Sequence, residues 1–111
     1  MKFDKFPRNN MRITLYDSCW TFNAAVLNKI NRAKYVIVKV GRDGDDLYVL
    51  FKPIDTKTDD TYTINYSTAV GRISASKFIR QFNVSTPQTF LLDEGLQING
   101  DEIIVGPIKH G

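Results

Sequence analysis

The sequence is poor in the residues that do chemistry. Among 111 residues there is one cysteine, Cys19, and one histidine, His110. A single cysteine excludes an intramolecular disulfide framework and suits a reducing compartment. One Cys and one His cannot assemble a zinc site. A Cys19–His110 dyad would need the end of the chain pinned across the domain, because nucleophile and base must lie within hydrogen-bond reach. Only seven glycines are present, and none falls in a phosphate-cradling loop or around a serine nucleophile. Asp43, Asp45 and Asp46 surround Gly44, but the twelfth-position glutamate of a calcium loop is missing, so the cluster reads as a hairpin tip. No apolar run approaches the roughly 18 residues needed to span a bilayer. The first eight residues are basic but lack the apolar core of an export signal, so the sequons at Asn65 and Asn83 carry no weight. The expectation is a cytoplasmic protein that is not an enzyme, uses no cofactor or metal, and avoids membranes.

What is present is a folded-protein share of apolar residues, 42%, in a chain long enough for one domain and too short for two. The net charge of +3 is unevenly spread. Residues 1–43 hold nine Lys/Arg against three Asp, net +6, whereas residues 44–111 hold six against nine acids, net −3. A basic front half is what a polyanion-binding surface requires.

Residues 1–10 read as an arm, with Lys2, Lys5 and Arg8 interleaved with Phe3 and Phe6, and with Pro7 barring a regular helix. Met11 to Tyr16 alternates with the period of a half-buried strand, and Cys19 to Phe22 resumes in extended form. Asn23 is placed to cap a helix whose stripe is Phe22, Val26, Leu27 and Ile30, closed by Asn31 in the left-handed conformation. Residues 35–40 are β-branched and strand-forming, and residues 45–51 return as their hairpin partner across a turn at residues 41–44, ending at Pro53. Residues 55–61 form a connector, followed by an alternating strand over residues 62–67. A second helix carries Ala75, Phe78, Ile79 and Phe82, with Ser74 or Ser76 as cap and Asn83 as terminator. Residues 90–92 and 96–98 are extended. Asn99-Gly100 marks a type I′ hairpin turn, residues 103–105 form its return strand, and residues 108–111 fray.

The two stretches echo each other. Val26-Leu27 and Ile30-Asn31 answer Phe78-Ile79 and Phe82-Asn83, and Val49 to Pro53 answers Ile103 to Pro107, at an offset that drifts from 51 to 54. The chain therefore divides into a first repeat over residues 20–53, a connector with strand over residues 54–71, and a second repeat over residues 72–107. On these residues each half resembles the AbrB/SpoVT/MazE swapped-hairpin family. Thr21 to Ile30 lies on that family's helix pattern without a gap, Arg72-Ile73-Ser74-Ala75-Ser76-Lys77-Phe78-Ile79-Arg80 matches it with one residue missing later, and Lys52-Pro53 fits its end. Asn23 and Ser76 stand where the family has proline, and Leu27 stands where it often has arginine.

The resemblance implies a mainly β (α+β) domain with two short helices, its tandem strand–helix–hairpin repeats closing into an intramolecular swapped-hairpin-like β-barrel. It implies either a monomeric pseudo-dimer or a homodimer. It further implies a transcriptional regulator binding double-stranded DNA, or an antitoxin. The candidate DNA contacts are Arg12, Arg32, Lys34, Arg72, Lys77 and Arg80, with Lys2, Lys5 and Arg8 of the arm gripping phosphate; Arg72 and Arg80 match family arginines most closely. Clustering of these cations on one face is the condition for that reading. The alternative is a protein-binding module, such as an antitoxin or a phage- or plasmid-encoded inhibitor of a host nuclease, with Trp20, Tyr48, Tyr62 and Tyr66 as exposed anchors.

Overall fold

Asn23 is where the chain first turns from strand to helix. Strands β1 (Arg12–Leu15) and β2 (Cys19–Asn23) pair antiparallel, with Ile13 opposite Phe22 and Leu15 opposite Trp20 on the buried side. Asn23 Oδ1 then accepts the backbone N–H of Val26 at 3.2 Å, capping helix α1 (Ala24–Lys29). Val26 and Leu27 are buried, and the helix is closed by Asn31 and Arg32 at φ 54° and 50°, the left-handed stop that asparagine tolerates. The computed structural model that shows this describes residues 10–111; the expected arm at residues 1–9, with Lys2, Lys5 and Arg8, lies outside the described residues.

Strands β3 (Tyr35–Asp43) and β4 (Asp46–Ile54) form the first long hairpin. Its turn is Gly44 and Asp45 rather than residues 41–44: Gly41 stays in the ladder opposite Tyr48, and Asp43 pairs Asp46. Next come β5 (Thr61–Thr63), β6 (Asn65–Tyr66) and β7 (Val70–Ser74), then helix α2 (Ser76–Phe82). Its N-cap is Ala75, with no side-chain cap, so neither Ser74 nor Ser76 serves as expected; Asn83 does terminate it, at φ 49°. Strands β8 (Gln88–Leu92), β9 (Gly95–Asn99) and β10 (Glu102–Ile108) complete the chain. The β9–β10 turn is Gly100 and Asp101, since Asn99 pairs Glu102. In both hairpins positive φ falls on the first central residue alone, Gly44 at 63° and Gly100 at 65°, which is the φ pattern of a type II′ turn; at the second hairpin this replaces the type I′ turn expected at Asn99-Gly100.

The strands make one sheet in the order β5-β3-β4-β10-β9-β8-β1-β2-β7-β6. Its two ends are consecutive in the chain. Residues 61–63 pair with β3, residues 65–66 pair with β7, and Ile64 between them is buried and donates its N–H to the Lys34 carbonyl at 2.9 Å. Six residues thus bridge both edges, and the sheet curls into a nearly closed barrel. The stretch expected to be a connector is the barrel's clasp. Inside, Trp20 and Phe22 each meet the Phe51 ring edge-on, with centroids 5.1 and 5.2 Å apart, an arrangement aromatic quadrupoles favour. Trp20 is 1% exposed, which removes it from the expected surface anchors.

The order strand, helix, hairpin occurs twice: β2-α1-β3-β4, then β7-α2 and β9-β10, with β8 inserted in the second half only. Strands from the two halves pair twice. Thr21 lies opposite Arg72, 51 positions on, and Leu50 lies opposite Ile104, 54 positions on.

The final residues are not frayed. Gln88, buried, donates from Nε2 to the carbonyls of Ser85 and Lys109 at 2.6 and 2.7 Å, and its Oε1 accepts the Lys109 N–H at 2.8 Å. His110 then bridges Val84, and the Gly111 N–H reaches the Asn83 carbonyl at 2.9 Å. One glutamine side chain that fits between two backbone segments overrides the composition of a polar tail.

Phe51→Ala removes the ring shared by Trp20 and Phe22, and a loss of about 3–5 kcal/mol in unfolding free energy is expected by urea titration. Gln88→Leu keeps the volume but strands the Lys109 N–H, and hydrogen exchange at Lys109 should then speed up well before that of Val105.

Candidate nucleic-acid interface

A strand turns alternate side chains outward, so the barrel's outer surface is written by every second residue. Across β8, β1, β2, β7 and β6 one such row reads Thr89, Thr14, Thr21, Arg72 and Asn65, each directly opposite the next. Five strands at about 4.8 Å spacing make this row about 19 Å wide. It runs through a shallow concavity of about 710 Å³ lined by Arg12, Thr14, Tyr16, Cys19, Thr21, Asn23, Val70, Arg72 and Thr89. Among the described residues no acidic side chain lines it.

The floor is fixed by short polar contacts. The hydroxyls of Thr14 and Thr89 lie 3.3 Å apart, and the Cys19 sulfur lies 3.7 Å from the Thr21 hydroxyl. Asn23, besides capping α1, accepts the Arg12 N–H at 3.1 Å and donates to the Asn10 carbonyl at 2.6 Å. The same side chain therefore sets the helix start and the register of the strand that carries Arg12. Both arginines are exposed, and they stand two strands apart on one surface.

The other expected cations are elsewhere. Because β2 and β7 are antiparallel, α1 leaves from the Asn23 end and α2 from the Ser74 end. Those ends are about 14 Å apart along a five-residue strand. Arg32 follows α1, with its guanidinium 5.0 Å from the centre of the Tyr66 ring, a cation–π distance. Lys34, exposed, belongs to the same end, where its carbonyl holds Ile64. Lys77 and Arg80 are exposed on α2 at the opposite end. The structure brings Arg12 and Arg72 together in one concavity and sets Arg32 and Lys34 apart from Lys77 and Arg80.

Among the described residues no group of three or more His, Cys, Asp or Glu could hold a metal ion. The two residues of the hypothetical dyad are engaged apart: Cys19 contacts Thr21, and His110 Nδ1 lies 3.1 Å from the Phe82 carbonyl. No helix of the described residues is long and apolar enough to cross a membrane.

The threonine row and Asn23's second role were not read from sequence. The alternation of Arg12-Ile13-Thr14-Leu15-Tyr16 announces which residues face out, but not that Thr89, 75 positions away, lies beside Thr14. Of the expected aromatic anchors, Tyr62 and Tyr66 are exposed at 38% and 37%, and Tyr48 is half-buried. The most exposed tyrosine is Tyr16, at the rim of the concavity.

Tyr66 also hydrogen-bonds from its hydroxyl to the Ala33 carbonyl. Burial raises its pKa above the ordinary phenol value of 10.0, and the Arg32 charge offsets part of that rise. A group whose folded pKa is raised contributes stability that is present below its unfolded pKa and lost as pH climbs through the folded value. In a phenolate absorbance titration, Tyr66→Phe should delete a late-ionising component. Wild type should lose stability relative to Tyr66→Phe as pH rises past 10.

No protein-family model matches this chain, and no curated protein and no solved structure does either. The resemblance to the swapped-hairpin family thus stands on the quoted residues alone.

Proposed function

We propose that the chain is a cytoplasmic, non-enzymatic double-stranded-DNA-binding protein of AbrB-like type, a transcriptional regulator that presents the outer face of β8, β1, β2 and β7 to the duplex. The observation that carries this reading is the concavity in which Arg12 and Arg72 flank a row of hydroxyls with, among the described residues, no carboxylate lining it. Phosphate oxygens accept from guanidinium groups and hydroxyls alike, so Arg12, Arg72 and the more accessible hydroxyls of Thr21 and Thr89 can serve a nucleic-acid backbone. An arginine can also bridge guanine O6 and N7, and β-surfaces that read DNA grooves are a known docking geometry.

Lys77 and Arg80 at one end, and Arg32 and Lys34 at the other, extend the cationic character beyond the concavity. The pairing of Thr21 with Arg72 and of Leu50 with Ile104 supports reading the halves as equivalents about a local two-fold, because a strand pair on such an axis opposes each central residue to its own counterpart. An intramolecular pseudo-dimer would offer a roughly symmetric surface to a roughly symmetric site.

The alternative partner is a protein, for an antitoxin or nuclease inhibitor, and Tyr16 at 48% exposure on the same rim is the feature that favours it. A salt titration of duplex-DNA binding separates the two. Binding by Arg12 and Arg72 gives a steep decline of log affinity with log salt, and each arginine that meets a phosphate contributes about 0.9 to the slope. The Arg12→Ala and Arg72→Ala double variant should flatten the slope by about 2. Lys57→Ala, in the loop before β5, should leave it unchanged. Folded wild-type protein that fails to retard duplex DNA at low salt would overturn the DNA reading.

A further inference from the structure

Strand β3 is nine residues long, but among the described residues only its first three, Tyr35, Val36 and Ile37, have a neighbour on the side away from β4. Among the described residues nothing pairs with residues 38 to 43 on that side; β3 itself contains no proline, and its nine pairs with β4 run without a register shift. Natural sheets seldom leave such an edge unmanaged, because it is a template for another strand.

The direction of its free groups follows from the turn. A two-residue hairpin closes on a hydrogen-bonded pair, here Asp43 with Asp46, and bonded pairs then alternate, so residues 41, 39, 37 and 35 bond toward β4. Pro53, which has no N–H to give, falls opposite Val36 at a non-bonded position, as this register demands. Val38, Val40 and Arg42 therefore aim their N–H and C=O groups outward. Val40 is 41% exposed, one of the few large apolar side chains on the surface. Open concavities flank this edge, one bounded by Lys39, Asp60 and Tyr62 and the other by Arg42, Tyr48 and Leu50.

We infer that this edge pairs with the same edge of a second copy, antiparallel and about a two-fold axis through Gly41. The sequence Lys39-Val40-Gly41-Arg42-Asp43 is complementary to itself in that register. Val40 and Arg42 exchange main-chain hydrogen bonds with Arg42 and Val40 of the second copy. Gly41 meets its own counterpart, and Lys39 stands opposite Asp43 at a non-bonded position, where cross-strand side chains come closest. The charges that guard an edge against foreign strands thus become, in this one register, two opposite-charge pairs. An isologous contact of this kind closes at two copies, since the open stretch of β3 is used once in each. The inference is independent of DNA binding, because the edge lies on β3 and the arginine concavity on β1, β2, β7 and β8.

Sedimentation or light scattering over a hundredfold concentration range tests it. Wild type should reach twice the chain mass as concentration rises. Val40→Pro removes an outward N–H that β4 does not use, and should leave a monomer with an unchanged far-ultraviolet spectrum. Lys39→Glu places like charges together twice and should raise the dissociation constant about tenfold. Adding Asp43→Lys to it should restore dimerisation, an outcome that holds the argument even if the proline variant fails to fold. Wild type that stays monomeric throughout, or a folded Val40→Pro protein that dimerises as well as wild type, would overturn the inference.

Discussion

The antiparallel pairing of β2 with β7 is the contact from which both the interior and the surface of this protein follow. Its register sets Trp20 opposite Ile73 and Phe22 opposite Gly71, facing in, and Thr21 opposite Arg72, facing out. Gly71 is the tight point. A Cβ there would stand 2.8 Å from Leu27 Cδ2 and 2.9 Å from Ile64 Cγ2, closer than carbon atoms approach. Leu27 belongs to α1 and Ile64 to the clasp, so the missing side chain at residue 71 is what lets helix and clasp meet over the strand. A one-residue slip would send Arg72 into the aromatic interior and expose Ile73, a penalty that fixes the register firmly.

Much of the local structure was legible because it is dictated locally. Asn23, Asn31 and Asn83 act where the sequence places them, since a side-chain cap and a left-handed stop need only neighbouring atoms. The two amphipathic stripes and the mainly β character with two short helices were legible for the same reason. Both hairpin turns were displaced, by two residues at one and one at the other, because a glycine can sit either in a turn or in a strand and the pairing partner decides. Gly41 remains in β3 because Tyr48 stands opposite it.

What depends on distant partners was not legible. Polar residues at the chain's end gave no sign that the Gln88 amide would bind the backbone on both sides of it, a contact spanning 21 positions. Trp20 was counted among surface aromatics although it alternates with Cys19 and Thr21, and the inward phase of β2 is set only by its neighbours. The cationic site was legible in part. Arg12 and Arg72 came together through two strand pairings, while the helix-borne cations went to opposite ends because antiparallel strands send their following helices in opposite directions.

The central claim is that the face bearing Arg12 and Arg72 meets nucleic acid. Backbone amide shifts followed by NMR as duplex DNA is added at low salt test it most directly. The account predicts perturbations concentrated in β1, β2, β7 and the Thr89 end of β8, with the Arg12 and Arg72 amides among the most affected. Perturbations confined to the β3–β4 hairpin, or a spectrum unmoved by saturating DNA, would contradict it.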